Sequence, residues 1–148
     1  MRAVCLHLRL CVDDYHRYSY PADGEKSENI RISGILHTVN PIAVESVPVY
    51  HENTREYCLL KTERFGTLIQ MEVGAMMVGR ICNYHGPRYV KKGSEKGRFE
   101  FGGSTILLLV QKGQATFREK FLKTRLRALR PRWEWESGSV PQNRWLNF

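Results

Sequence analysis

Tyr57–Val73 reads YCLLKTERFGTLIQMEV, and this stretch decides the fold. Tyr57 to Lys61 and Leu68 to Val73 are strand candidates, and Glu63-Arg64-Phe65-Gly66 closes a hairpin between them. In the second strand Ile69, Met71 and Val73 alternate with Gln70 and Glu72, the period of a strand rather than a helix. Upstream, Ile30 to Val39 alternates enough to be a strand. Asn40-Pro41 interrupts it, and Ile42 to Val49, with Pro48, suits an edge or irregular strand. Pro21-Ala22-Asp23-Gly24 is turn-like, and His51 to Arg55 is a polar connection. Downstream, Gly74, Gly79 and Gly86 punctuate the chain, and Val90 to Gly97 (VKKGSEKG) reads as a solvated turn. Ile106 to Val110 is a candidate buried strand, ended by Lys112-Gly113. These elements predict an all-β domain of short strands, sandwich- or barrel-like.

Composition agrees with a single domain: 148 residues, 42% of them hydrophobic, are enough for a core. The longest apolar run, Ile106 to Val110, is far short of a membrane span, and the broken apolar start MRAVCLHLRLCV does not read as a signal peptide. Cys5, Cys11, Cys58 and Cys82 form no CxxC pair and no metal-ligand spacing, so free thiols are expected and no metal set is assigned. The net charge of +8 is uneven. From Phe117 to Phe148 eight Lys and Arg face three Glu, so nucleic-acid binding would rest on the tail alone. Aromatic residues interleaved with Lys and Arg on one strand face are missing from residues 30–116, and no nucleic-acid partner is expected.

The most informative chemistry lies in Gly97-Arg98-Phe99-Glu100-Phe101-Gly102-Gly103-Ser104-Thr105. By itself it is a bend or bulge before a strand, with small residues for backbone freedom. Its neighbours change its meaning. VDDYHRY, LHTVNPIAV, HENTREY, FGTLIQMEVGAMMVGRI and EKGRFEFGGSTILLLV follow in one order. Together they resemble the pyruvoyl-dependent phosphatidylserine decarboxylase family, in its bacterial Gly-Gly-Ser-Thr branch, over roughly residues 8–116.

The resemblance implies a self-processing proenzyme. The Ser104 hydroxyl attacks the Gly103 carbonyl, and β-elimination of the resulting ester separates residues 1–103 from 104–148 as a heterodimer. Ser104 then becomes the covalent pyruvoyl cofactor. Its carbonyl forms a Schiff base with the amine of phosphatidylserine and accepts electrons as CO2 leaves, giving phosphatidylethanolamine. A serine hydroxyl is a nucleophile once a base activates it, and Gly103 leaves its path open. His16, in the Asp14-Tyr15-His16-Arg17 element, matches the family's acid–base histidine, and Asp14 matches the aspartate that would orient it. The resemblance also implies a peripheral place on the cytoplasmic face of the cell membrane.

Two departures qualify the expectation. The family's second histidine, three positions after the first, is here Ser19. The family's processing aspartate belongs upstream of the DYHR element, so slow or absent self-cleavage is expected of these residues alone. The predicted organisation is a catalytic domain over residues 1–116 lacking that upstream segment, then an atypical basic tail over 117–148. The tail, helical or disordered, is either a frameshift product starting near residue 122 or a basic-aromatic segment for anionic lipid. A different class of function, an unprocessed remnant or lipid-binding module, is the alternative. Arg17, Arg55 and Arg80 are candidates for the substrate phosphate by charge. His37, His51 and His85 are expected to be structural, and Met71, Met76 and Met77 to pack the core.

Overall fold

The computed structural model describes residues 3–10, 15–37, 52–75, 80–100 and 104–115, with Ser104 described by its backbone. These residues form ten strands and no α-helix. In chain order they are β1 (Ala3–Leu10), β2 (Arg17–Ser19), β3 (Gly24–Lys26), β4 (Ile30–Ile32), β5 (Arg55–Thr62), β6 (Gly66–Val73), β7 (Arg80–Asn83), β8 (Arg88–Val90), β9 (Glu95–Glu100) and β10 (Ser104–Gln111). A seven-stranded sheet runs β1-β10-β6-β5-β3-β8, with β4 also paired to β5. A second, three-stranded sheet runs β2-β9-β7. Both sheets are open, so the architecture is a sandwich and not a closed barrel.

The hairpin expected from the sequence is β5–β6, paired from Arg55↔Val73 to Thr62↔Gly66. Its turn needs a left-handed residue, and Gly66 supplies it at φ +65°. Thr62 Oγ1 closes the loop by accepting from Phe65 N at 3.0 Å and donating to Gly66 O at 2.8 Å. Next to the edge strand β1 lies β10, paired on its other side with β6. Its Ile106, Leu108 and Val110 are buried, and the core continues through Tyr20, Ala22, Leu60, Leu68 and Val90. Each such side chain contributes about 1.5–3 kcal/mol by leaving water. A second cluster, Tyr18, Ile81, Phe99 and Ile106 with Leu10 against it, joins the small sheet to the large one.

Several expectations are corrected. Met71, expected to pack the core, is only half-buried, because β6 turns Gln70, 3% exposed, and the fully buried Glu72 inward instead. VKKGSEKG is not one solvated turn. Val90 is buried at the end of β8, and Lys96 is fully buried within β9. Of the strand predicted for Ile30 to Val39, the described residues 30–37 hold β4 and a single bridge, Ile35↔Asn53. β1, β2, β3, β7 and β8 had no counterpart in the sequence prediction, which reads Glu25 to Asn29 as a polar loop. The segment Ile42–Val49, the tail from residue 117 and His51 lie outside the described residues.

Candidate active site

The chain passes between the sheets three times at one end of the sandwich. It leaves β1 at Leu10 and enters β2 at Arg17, leaves β6 at Val73 and enters β7 at Arg80, and leaves β9 at Glu100 and enters β10 at Ser104. Strand register sets these points side by side. Leu10 pairs with Ser104, Val73 with Thr105, Arg80 with Glu100 and Arg17 with Arg98. The DYHR, VGAMMVG and GGST segments thus start or finish at one rim, although they are far apart in sequence.

Ser104 is the first residue of β10, with its backbone opposite Leu10. His16 is half-buried just before β2, and its carbonyl accepts from Phe99 N at 2.9 Å. That bond ties the histidine segment to β9, the strand that leads into the Gly-Gly-Ser element. Asp14 and Gly103 lie outside the described residues, as do Met76 and Met77. Ser19, at the position of the absent second histidine, is buried, and its carbonyl accepts from Gln70 Nε2 at 3.3 Å.

Behind the rim, the interior between the sheets holds charge. Lys96 Nζ donates to Glu72 Oε2 at 2.5 Å, with both side chains fully buried. Asn83 Nδ2 donates to the same oxygen at 3.2 Å and to Glu56 Oε1 at 2.6 Å. Tyr18 OH donates to Asn83 Oδ1 at 3.3 Å, and Lys96 lies over the Tyr18 ring. Gly97 leaves room for this cluster: a Cβ there would overlap the Cys82 carbonyl and crowd the Tyr18 hydroxyl. Burial pushes the Glu72 carboxyl above its ordinary value, against the pull of Lys96 and Asn83. Burial also raises the Tyr18 phenol, and the Glu72 and Glu56 charges add to that. Two buried polar atoms near the start of β10, Glu72 Oε1 and Thr105 Oγ1, have no hydrogen-bond partner.

Asn53 anchors the second passage from behind. Fully buried, it donates to Gly74 O and His37 O and accepts from His37 N, each at 2.8 Å. His37 Nε2 faces Glu52 at 3.6 Å, a carboxylate neighbour not expected from sequence spacing. His85 Nδ1 meets Tyr20 OH at 3.3 Å. Of the three candidate arginines, Arg17 pairs with Glu95 at 2.6 Å and Arg80 with Glu100 at 3.4 Å, whereas Arg55 Nε is buried without a hydrogen bond. Among the described residues no cluster of His, Cys, Asp and Glu could hold a metal ion, and no helix is long and apolar enough to cross a membrane.

Comparison with known proteins shows the family. The sequence profile described as Phosphatidylserine decarboxylase matches residues 1–127. The chain belongs to the phosphatidylserine decarboxylase family. Phosphatidylserine decarboxylase proenzyme 2 of Clostridium acetobutylicum is 53% identical over 119 residues, covering 80% of this chain and 38% of that protein. A phosphatidylserine decarboxylase proenzyme of Clostridium botulinum (strain Eklund 17B) is 43% identical over 122 residues, covering 81% of this chain and 41% of the relative. One from Clostridium novyi is 47% identical over 110 residues, covering 73% and 37%. The chain therefore spans about two fifths of the length of these relatives. No solved structure matches it.

Glu72, Lys96, Asn83 and Asn53 are the site-supporting residues that sequence reasoning missed. The sequence signal for the first was a lone charge, Glu72, near the end of a strand whose other residues are uncharged. Lys96 carried none, because KKGSEKG looks like any polar turn.

Proposed function

We propose that this chain carries the catalytic core of a decarboxylase acting on phosphatidylserine, with Gly103–Ser104 as the bond cut in maturation and Ser104 as the precursor of a pyruvoyl group. One observation carries the proposal: the three passages between sheets that hold the DYHR, VGAMMVG and GGST segments share one rim. A nucleophile and its acid–base partner must come within hydrogen-bond reach, and a shared rim is what permits it.

In maturation Ser104 Oγ adds to the Gly103 carbonyl carbon, and the amide C–N bond breaks as the nitrogen takes a proton. Loss of the Ser104 α-proton then expels the Gly103 carboxylate. The resulting dehydroalanine takes up water and releases ammonia, which leaves the keto group. A pyruvoyl group at the head of β10 fits the polar rim, where Glu72 Oε1 and Thr105 Oγ1 are buried and unpartnered. When present, that group supplies an electron sink for loss of CO2 from the serine headgroup. His16 returns a proton to the carbon that loses CO2, and Asp14 orients the imidazole. Arg55, the candidate arginine outside an ion pair with Glu95 or Glu100, suits the lipid phosphate. The cut pieces stay together because β10 is paired on both edges, to β1 and to β6. A lipid substrate calls for work at a membrane surface, and the family resemblance makes the cytoplasmic face the one expected.

Intact mass over time tests the proposal, with the chain alone and co-expressed with the upstream part of the Clostridium acetobutylicum relative. The expected result is slow or no cutting alone, cutting into 1–103 and a blocked 104–148 piece in co-expression, and none in Ser104→Ala. Cutting that survives Ser104→Ala, or no cutting in either setting, overturns the assignment.

A further inference from the structure

The two sheets are about 10 Å apart in a packed sandwich. Glu100 ends β9 in one sheet and Ser104 begins β10 in the other, so only residues 101–103 bridge them. Four Cα-to-Cα steps reach at most about 13–14 Å. A slide of β9 relative to β10 would therefore act on the bond before Ser104 through a connection of only three residues. Apolar packing around Phe99, Ile81 and Ile106 resists separation of the sheets, but it is non-directional. A buried ion pair has one good geometry. Lys96 lies on β9, four residues before Glu100, and Glu72 lies on β6, paired with Ile106 only two residues past Ser104. Asn83 on β7 meets the same carboxylate, and Tyr18 on β2 joins the cluster through Asn83.

We propose that the Glu72–Lys96 ion pair, with Asn83, is a positioning device for maturation: it fixes β9 against β6, and with them the strand ends on either side of the Gly103–Ser104 bond. This rests on the Ser104 assignment above. Neither residue touches the reacting bond, so both are positioning residues.

The double variant Glu72→Leu/Lys96→Met separates position from stability. Replacing both members of a buried pair with apolar residues of similar size is commonly near-neutral for stability. Its melting midpoint should stay close to that of the parent. Its cutting rate, measured by intact mass in the setting where the parent cuts, should fall about 10- to 100-fold, the scale of an ångström-sized misplacement. The pH dependence of the rate should keep its shape, because the acid–base group lies elsewhere. Glu72→Gln, which keeps the side-chain shape, is the second variant and should also cut more slowly while still folded. A parent-like rate in either folded variant overturns the proposal. So does a shifted pH profile, which would make Glu72 itself the base, and so does failure of both variants to fold, which would make the pair a stability element. If the parent never cuts, the Ser104 assignment falls first and this inference with it; if the parent cuts and the double variant matches it, only this inference falls.

Discussion

The interior between the sheets has two ends with different chemistry. At the end away from Ser104, Tyr20, Leu60, Leu68, Leu108 and Val110 form an apolar cluster. At the rim end, Tyr18, Phe99, Ile81 and Ile106 surround a buried carboxylate, an ammonium and a carboxamide. The difference separates two jobs. Apolar contacts contribute stability in proportion to area but fix position loosely. Buried charge adds little net stability while demanding one geometry, and removing half of it is costly. The fold places the demanding kind beside the bond proposed to react.

Single substitutions can break this contrast. Lys96→Met should have the largest effect on stability, about 3–5 kcal/mol, because it leaves the Glu72 carboxylate buried and unpaired. Urea unfolding measures it, and a loss no larger than that of the double variant would erase the distinction between the ends. Leu60→Ala at the apolar end should cost about 2–5 kcal/mol by leaving a cavity, and it should act through stability alone, with the cutting rate of the folded fraction unchanged.

A smaller effect comes from pH. Tyr18 keeps its proton in the folded state to higher pH than an unfolded tyrosine, whose pKa is about 10. Above that pH the unfolded chain releases a proton that the folded chain holds, so stability is complete below about pH 10 and declines as pH rises past it. Unfolding measured across that range should show the decline, and Tyr18→Phe should lessen it while losing the hydrogen bond to Asn83, leaving the part due to Tyr20, whose phenol is likewise raised by burial. The smallest effect belongs to Arg17→Ala. Its ion pair with Glu95 is exposed, and the melting midpoint should hardly move.

Local pattern made much of this legible beforehand. The β5–β6 hairpin was readable because a glycine-closed turn separates two runs of strand composition. β10 was readable because Ile106 to Val110 is apolar without interruption. The family was readable from the order of the short segments around Ser104 and His16, and the profile match shows that family. β1 was missed because His7 and Arg9 interrupt its apolar residues, although Leu6 and Leu10 pack against the core from it.

By itself the sequence determined an all-β chain, its central hairpin, and a serine after two glycines within a family's ordered motifs. The tertiary structure alone decided which face of β6 points inward and that a lysine from a polar turn would meet Glu72 in the interior. Alternation defines two faces of a strand but cannot say which is covered, and it is blind to a partner 24 residues away. Burying that carboxylate is tolerable only because a strand of the other sheet brings an ammonium to it, and nothing short of the packed sandwich puts the two side by side.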